Sequence, residues 1–195
     1  MSHGKFSDRR YEEIKQEVLF MFEETETDAF PIDPFEIARK LQYAVIPYSK
    51  LPFDEYLEAI DISNEGYSKV MQHPATGMLY YAIFYNDEGH SIRNIRWTIF
   101  HEIGHIYLGH HDNSDGNEQL EEDEANFFAK YSIAPPPLIN ATKCADSIDV
   151  YNTFGLSDQA SGFVFEYFQK WLNYGPKDYL PYELQMLRLF HLAAA

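Results

Sequence analysis

Five residues near the middle of the chain have types and a spacing that could do chemistry: His101-Glu102-Ile103-Gly104-His105, the H-E-x-x-H pattern. On a helix, side chains four apart lie on one face one turn apart, so both imidazoles can reach a single ion. Glu102 projects beside that ion, where its carboxylate can take a proton from water. A catalytic zinc needs three protein ligands, so two histidines leave one to be found. One scheme extends the motif to H-E-x-x-H-x-x-G-x-x-H, with His111 as third ligand. That scheme needs glycine at 108, where Leu108 stands, and a methionine turn that the following chain lacks. The other scheme takes a carboxylate from a second helix, and Glu121, Glu122, Asp123 and Glu124 are the candidates. Helical faces separate them. Glu122 shares its face with the small residues Ala125, Asn126 and Ala129, which would let this helix press against the first, near Gly104. Glu124 shares its face with Phe127, Phe128 and Tyr131, which read as core. The expected metal set is therefore His101, His105 and Glu122, with Glu124 and Glu121 as fallbacks and Glu102 as general base. An acidic helix start is also favoured by the helix dipole alone, and that accounts for part of the cluster.

These residues must be held by their surroundings. Within Arg96–His111, the residues Trp97, Phe100, Ile103, Gly104, Tyr107 and Leu108 recur at three- and four-residue spacing, so the helix should be buried on one side and open to a cleft on the other. Gly109 with His110 and His111 marks its end. Upstream, Ser7 can cap a helix running to about Glu24, and Asp33-Pro34 opens a second one running to about Tyr43. Ala44–Tyr48 reads as an edge strand. Leu57–Ile62 has no decided period. Tyr67–Gln72 and Met78–Asn86 flank a turn and read as an antiparallel hairpin, the second strand being apolar on both faces. Downstream come a polar loop at Asp112–Glu118, a helix over Glu121–Ile133 stopped by three prolines, and a helical turn within Leu138–Ala145. Two helical pieces then meet near Gly155-Leu156-Ser157, before a last helix over Pro181–Leu192. The fold class is thus α+β: a small antiparallel sheet packed on helices around a zincin-like H-E-x-x-H helix. Residues 1–137 would form the metallopeptidase domain and 138–195 a helical C-terminal part packed on it.

Composition narrows the partners. Apolar residues make up 45% and aromatic ones 16%, which is enough for a real core. Fifteen Lys and Arg stand against 31 Asp and Glu, a net charge of −16. Such a surface repels phosphate backbones and anionic membrane, so direct nucleic-acid or membrane binding is a poor expectation and a basic protein partner a better one. Cys144 is the single cysteine, so no internal disulfide can form, and a small apolar filler is its expected role. The opening residues hold no apolar signal segment and no run approaches eighteen apolar residues, so a cytoplasmic location is expected.

The combined pattern resembles a known family. Arg96-Trp97-Thr98, then His101-Glu102-Ile103-Gly104-His105 and Leu108-Gly109-His110, are followed by Glu122-x-Glu124-Ala125-Asn126-x-Phe128-Ala129 and Pro135. This is similar to the ImmA/IrrE metallopeptidases. The segment Pro31-Ile32-Asp33-Pro34-Phe35-Glu36-Ile37-Ala38 with a short strand is similar to the family's opening segment, and Phe154-Gly155-Leu156-Ser157 to its later helical region. The resemblance matches Glu122 to the family's metal-ligand position. It implies a zinc endopeptidase that cleaves a helix-turn-helix transcriptional repressor, often encoded nearby on a mobile element. Two departures stand out: the second helix ends Ser132-Ile133-Ala134-Pro135 where Leu-Leu-Met-Pro is usual, and no large sensory C-terminal domain follows.

The chemistry expected of that set is hydrolysis by a zinc-activated water with Glu102 as general base. A strand within Met78–Asn86 could hold an extended substrate by backbone pairing. The tyrosines and His110 are unranked candidates for oxyanion support. Two other classes compete. A helix-turn-helix regulator would use the Gly155-Leu156-Ser157 turn, but Asp158–Glu166 carries no Lys or Arg. A binding module with a merely structural zinc would have no need of Glu102.

Overall fold

The computed structural model describes residues 6–111 and 117–192. Along the chain lie α1 (Asp8–Glu24), α2 (Pro34–Lys40), β1 (Ala44–Pro47), α3 (Phe53–Ile62), β2 (Gly66–Gln72), β3 (Leu79–Tyr85) and α4 (Ile92–Tyr107). They are followed by α5 (Glu118–Ile133), α6 (Pro136–Ala141), α7 (Ser147–Phe154), α8 (Asp158–Tyr174) and α9 (Pro181–Leu189). The capping signals act as their chemistry dictates. Ser7 Oγ accepts from the Arg10 amide at 3.2 Å, Asp33 Oδ1 from Phe35 at 3.0 Å, and Ser91 Oγ from Asn94 at 3.2 Å. Each such cap is worth about 1 kcal/mol against Ala. The second helix stops at Lys40, short of Tyr43, because Gln42 takes a left-handed φ of 61°. The undecided segment at 57–62 is helical; the full α3 begins at Phe53, just after Pro52, where a proline is tolerated ahead of a helix.

The sheet has the order β1-β3-β2 and is mixed, which corrects the all-antiparallel expectation. The hairpin β2–β3 is antiparallel, with Ser68 opposite Ile83, whereas β1 runs parallel to β3, with Ala44 opposite Ala82. The reason lies in the connection. The chain leaves β1 through a 3-10 turn and α3, forms β2, and only then returns beside β1 in the same direction. Because β3 is central, its backbone is paired on both sides, so it cannot accept an added substrate strand as the sequence suggested. The free edges belong to β1 and β2.

One face of the sheet packs on the main core and the other under α3, where Tyr48, Ala59, Ala82 and Phe84 form a small second cluster. The main core joins Ile14, Val18 and Phe22 of α1 to Ile99, Phe100 and Ile103 of α4 and to Phe127 and Phe128 of α5. It continues through Phe154, Val164, Phe168 and Met186 into the C-terminal helices. Gly104 allows the central contact: a Cβ built there would lie 3.3 Å from Ala125 Cα and 3.2 Å from Phe128 Cβ. α4 ends as expected, with Gly109 at φ 76° beyond it.

Arg96, on the far side of α4, is buried. Its guanidinium donates to the carbonyls of Ile32, Phe154 and Gly155, joining three segments distant in sequence. Arg93 donates to the Leu156 carbonyl and stacks 3.6 Å from the Tyr151 ring. The Gly155-Leu156-Ser157 turn is thereby fastened onto α4, and Gly155 takes φ 66° with Arg96 Nη1 where a side chain would stand. Among the described residues no helix is long and apolar enough to cross a membrane.

Candidate metal centre

α4 presents His101 and His105 from one face, and α5 brings Glu122 across from the other side. His101 Nε2 and His105 Nε2 lie 3.0 Å apart, and Glu122 places Oε2 3.4 Å from the first and Oε1 3.3 Å from the second. Bonds of about 2.0–2.1 Å at tetrahedral angles separate ligand atoms by roughly 3.3 Å. The two imidazole nitrogens and the Glu122 carboxylate, one oxygen facing each ring, therefore stand near the spacing one ion requires. Burial lowers the pKa of both imidazoles; for His105, which also faces three other histidines, it falls to about 3. Neutral imidazole is the ligand form, so the environment and the donor set agree. The Glu122 side chain is 52% exposed, which leaves it free to swing the last few tenths of an ångström.

Glu102 follows His101 and is buried, at 6% exposure. Burial pushes its pKa up to about 7, against the opposing pull of Ser68. Ser68 of β2 donates its hydroxyl to Glu102 Oε2 at 2.7 Å, and His111 Nε2 lies 3.0 Å from that same hydroxyl. A hydroxyl has one proton, so with that proton on Glu102 it accepts from His111. A carboxylate near neutral pKa, held by a hydroxyl beside two metal-type histidines, is suited to take and return a proton.

The cleft between α4, α5 and β2 has a volume of about 510 Å³ and is walled by Tyr67, Trp97, Thr98, Asn126 and His111, with Glu65 at its rim. The β2 wall is a strand edge. The bonds from Asn86 N to the Glu65 carbonyl and from His73 N to the Met78 carbonyl fix which residues pair with β3. Residues 66, 68, 70 and 72 therefore turn their backbone groups away from β3, as alternation in an antiparallel ladder requires. Ser63 Oγ takes the Gly66 amide, and the Ser68 amide reaches Glu102.

The structure brings His101, Glu102, His105 and Glu122 together at one end of the cleft. The fallback Glu124 lies elsewhere: it is buried behind α4, where Arg10 Nε and Nη2 donate to its two oxygens at 2.7 and 2.5 Å. Burial opposes its ionised form, but the Arg10 fork and His110 outweigh that and hold its pKa below the usual range. Among the described residues, the group close enough to hold an ion is His101, His105 and Glu122, without Glu121 or His111. His110 also differs from expectation. Its ring faces away from the cleft, with Nδ1 3.0 Å from His105 Nδ1 and Nε2 3.3 Å from Glu124, so it cannot support an oxyanion. Sequence reasoning missed Ser68, whose small polar side chain in a strand gave no signal, and Arg10, which lies over a hundred residues away. The polar loop expected at Asp112–Glu118 lies outside the described residues over 112–116.

A buried H-E-x-x-H helix crossed by a glutamate-bearing helix, beside a small sheet, is the arrangement of a metallopeptidase. Residues 54–143 match the family model described as Peptidase_M78, IrrE N-terminal-like domain, the same family that the sequence motifs resemble. A search of the curated proteins finds no match to the chain.

Proposed function

We propose that this protein is a zinc-dependent endopeptidase that cuts a DNA-binding repressor, with Glu102 as general base. The observation that carries the reading is the set of separations of 3.0, 3.3 and 3.4 Å among His101, His105 and Glu122, with Glu102 held alongside by Ser68. Zinc in that set would polarise the scissile carbonyl and make water a nucleophile near neutral pH. Glu102 takes the proton from water and returns it to the leaving amine. Ser68 keeps the carboxylate aimed. The β2 edge offers an extended peptide its outward carbonyls, aligning it along the cleft. A purely structural zinc would leave Glu102 buried beside the ligands without a task, so the binding-module reading is disfavoured.

The substrate class follows from the family resemblance and from charge. A net charge of −16 suits a basic, DNA-binding protein and keeps the enzyme off DNA itself, in keeping with work in the cytoplasm. The test incubates the protein with the product of an adjacent repressor gene. The parent should cleave it, and Glu102→Gln should keep its zinc and lose cleavage by at least a hundredfold, since an amide cannot accept the proton. Cleavage persisting in that variant would assign the base elsewhere.

A further inference from the structure

Behind the proposed ligands runs a line of polar side chains that the reaction itself does not use. It starts at His105 Nδ1, on the side of that ring opposite the Glu122 oxygen. His110 Nδ1 is 3.0 Å away; His110 Nε2 is 3.3 Å from Glu124 Oε2; and both Glu124 oxygens receive the Arg10 guanidinium. His110 and Glu124 have side chains only 6% and 8% exposed, so little water is present to substitute for either.

The proton count along this line has one solution when His105 holds a metal. Nε2 must give its lone pair to the ion, so the neutral ring carries its proton on Nδ1 and donates it to His110 Nδ1. His110 then carries its own proton on Nε2 and donates to Glu124, which stays ionised because Arg10 clamps it. Each ring is left in one tautomer and one orientation. A histidine ligand is normally oriented by a carboxylate or carbonyl directly; here a second histidine stands between ligand and carboxylate.

We propose, resting on the metal-site reading above, that His110, Glu124 and Arg10 are positioning residues. They fix the tautomer and aim of His105 and thereby tie helix α1 to the affinity of the metal centre. Arg10 lies outside the family-matched stretch of 54–143, so this coupling is a property of the chain beyond the matched domain. Displacement of α1 would release Glu124, then His110, and loosen one metal ligand without any group entering the cleft.

The experiment measures zinc affinity by competition with a chromophoric chelator, together with thermal melts of the metal-free proteins. His110→Ala should lose affinity by about 10–100-fold and Arg10→Ala by about 3–10-fold, in line with the loss of outer-shell partners. Arg9→Ala is the control, since Arg9 sits on the same helix but is exposed and pairs with Glu13 on its own helix. It should bind zinc as the parent does. In zinc-loaded parent, the His105 Nδ1 proton should be visible by NMR and slow to exchange, and it should be lost in His110→Ala. Three results would overturn the proposal: Arg10→Ala and His110→Ala within twofold of the parent, affinity falling only in step with the unfolded fraction, or Arg9→Ala losing as much as Arg10→Ala. A parent chain that takes up no zinc would instead remove the metal reading, and the relay with it.

Discussion

Replacing Gly104 by Ala tests how tightly α4 and α5 must press to set the ligand spacing. A helix interior gains about 1 kcal/mol when Gly becomes Ala, and that gain would stabilise the variant if nothing else changed. The new methyl, however, would stand 3.1 Å from Phe128 Cδ1, 3.2 Å from Phe128 Cβ and 3.3 Å from Ala125 Cα. The ring carbon could turn aside, but the other two atoms move only with the backbone of α5. Relief therefore requires α5 to back away by a few tenths of an ångström, carrying Glu122 with it. Overpacking of this kind costs about 1–3 kcal/mol, so the net effect is a loss of about 0–2 kcal/mol, and Gly104→Val should lose more. Urea denaturation of the metal-free protein measures the stability, and chelator competition measures the effect on Glu122 as ligand. A variant stabilised by the full propensity gain, with unchanged zinc affinity, would refute the argument that this contact is close and transmits to the site.

Other expectations follow from the same geometry. In metal-free protein, Glu102 has a folded pKa of about 7 against 4.5 for the free group, so the native state binds the extra proton and stability falls as pH rises through that window. Glu102→Gln removes this loss and should be more stable than the parent by on the order of 3 kcal/mol above pH 7, with little difference below pH 4; equal pH profiles in denaturant melts would contradict the burial argument. Ser68→Ala removes a hydrogen bond that favours the ionised carboxylate, so the acid limb of kcat/KM should move to higher pH and cleavage at neutral pH should fall; an unmoved limb would show that the hydroxyl does not act on Glu102. If charge steers a basic repressor to this acidic protein, cleavage should slow several-fold between low and raised salt, and a salt-independent rate would remove that argument.

The grouping of His101, His105 and Glu122 was legible because helical periodicity ties sequence spacing to faces. His101 and His105 share one face, and the small residues Ala125 and Ala129 mark the side of α5 that can approach Gly104, which places Glu122 at the histidines. Caps at Ser7 and Asp33 were readable for the same local reason. The mixed sheet was not. Whether β1 pairs parallel or antiparallel depends on where the chain returns, and nothing within Ala44–Pro47 encodes the path through α3. The same holds for the polar contacts behind and beside the site. Glu124 sits on an apolar face that reads as core, and core is where it lies, but its partner Arg10 comes from α1 by tertiary packing alone. His110 and His111 are neighbours at a helix end; only the left-handed turn at Gly109 sends one behind His105 and the other to Ser68.

The central claim is that His101, His105 and Glu122 hold one catalytic zinc, and metal content tests it most directly. Elemental analysis of purified protein should find one zinc per chain, with Glu122→Ala retaining a native circular dichroism spectrum while losing most of its metal, because the Glu122 side chain is half exposed and contributes little to folding. A natively folded parent chain that takes up no zinc, or a Glu122→Ala variant that holds it as tightly as the parent, would contradict the account.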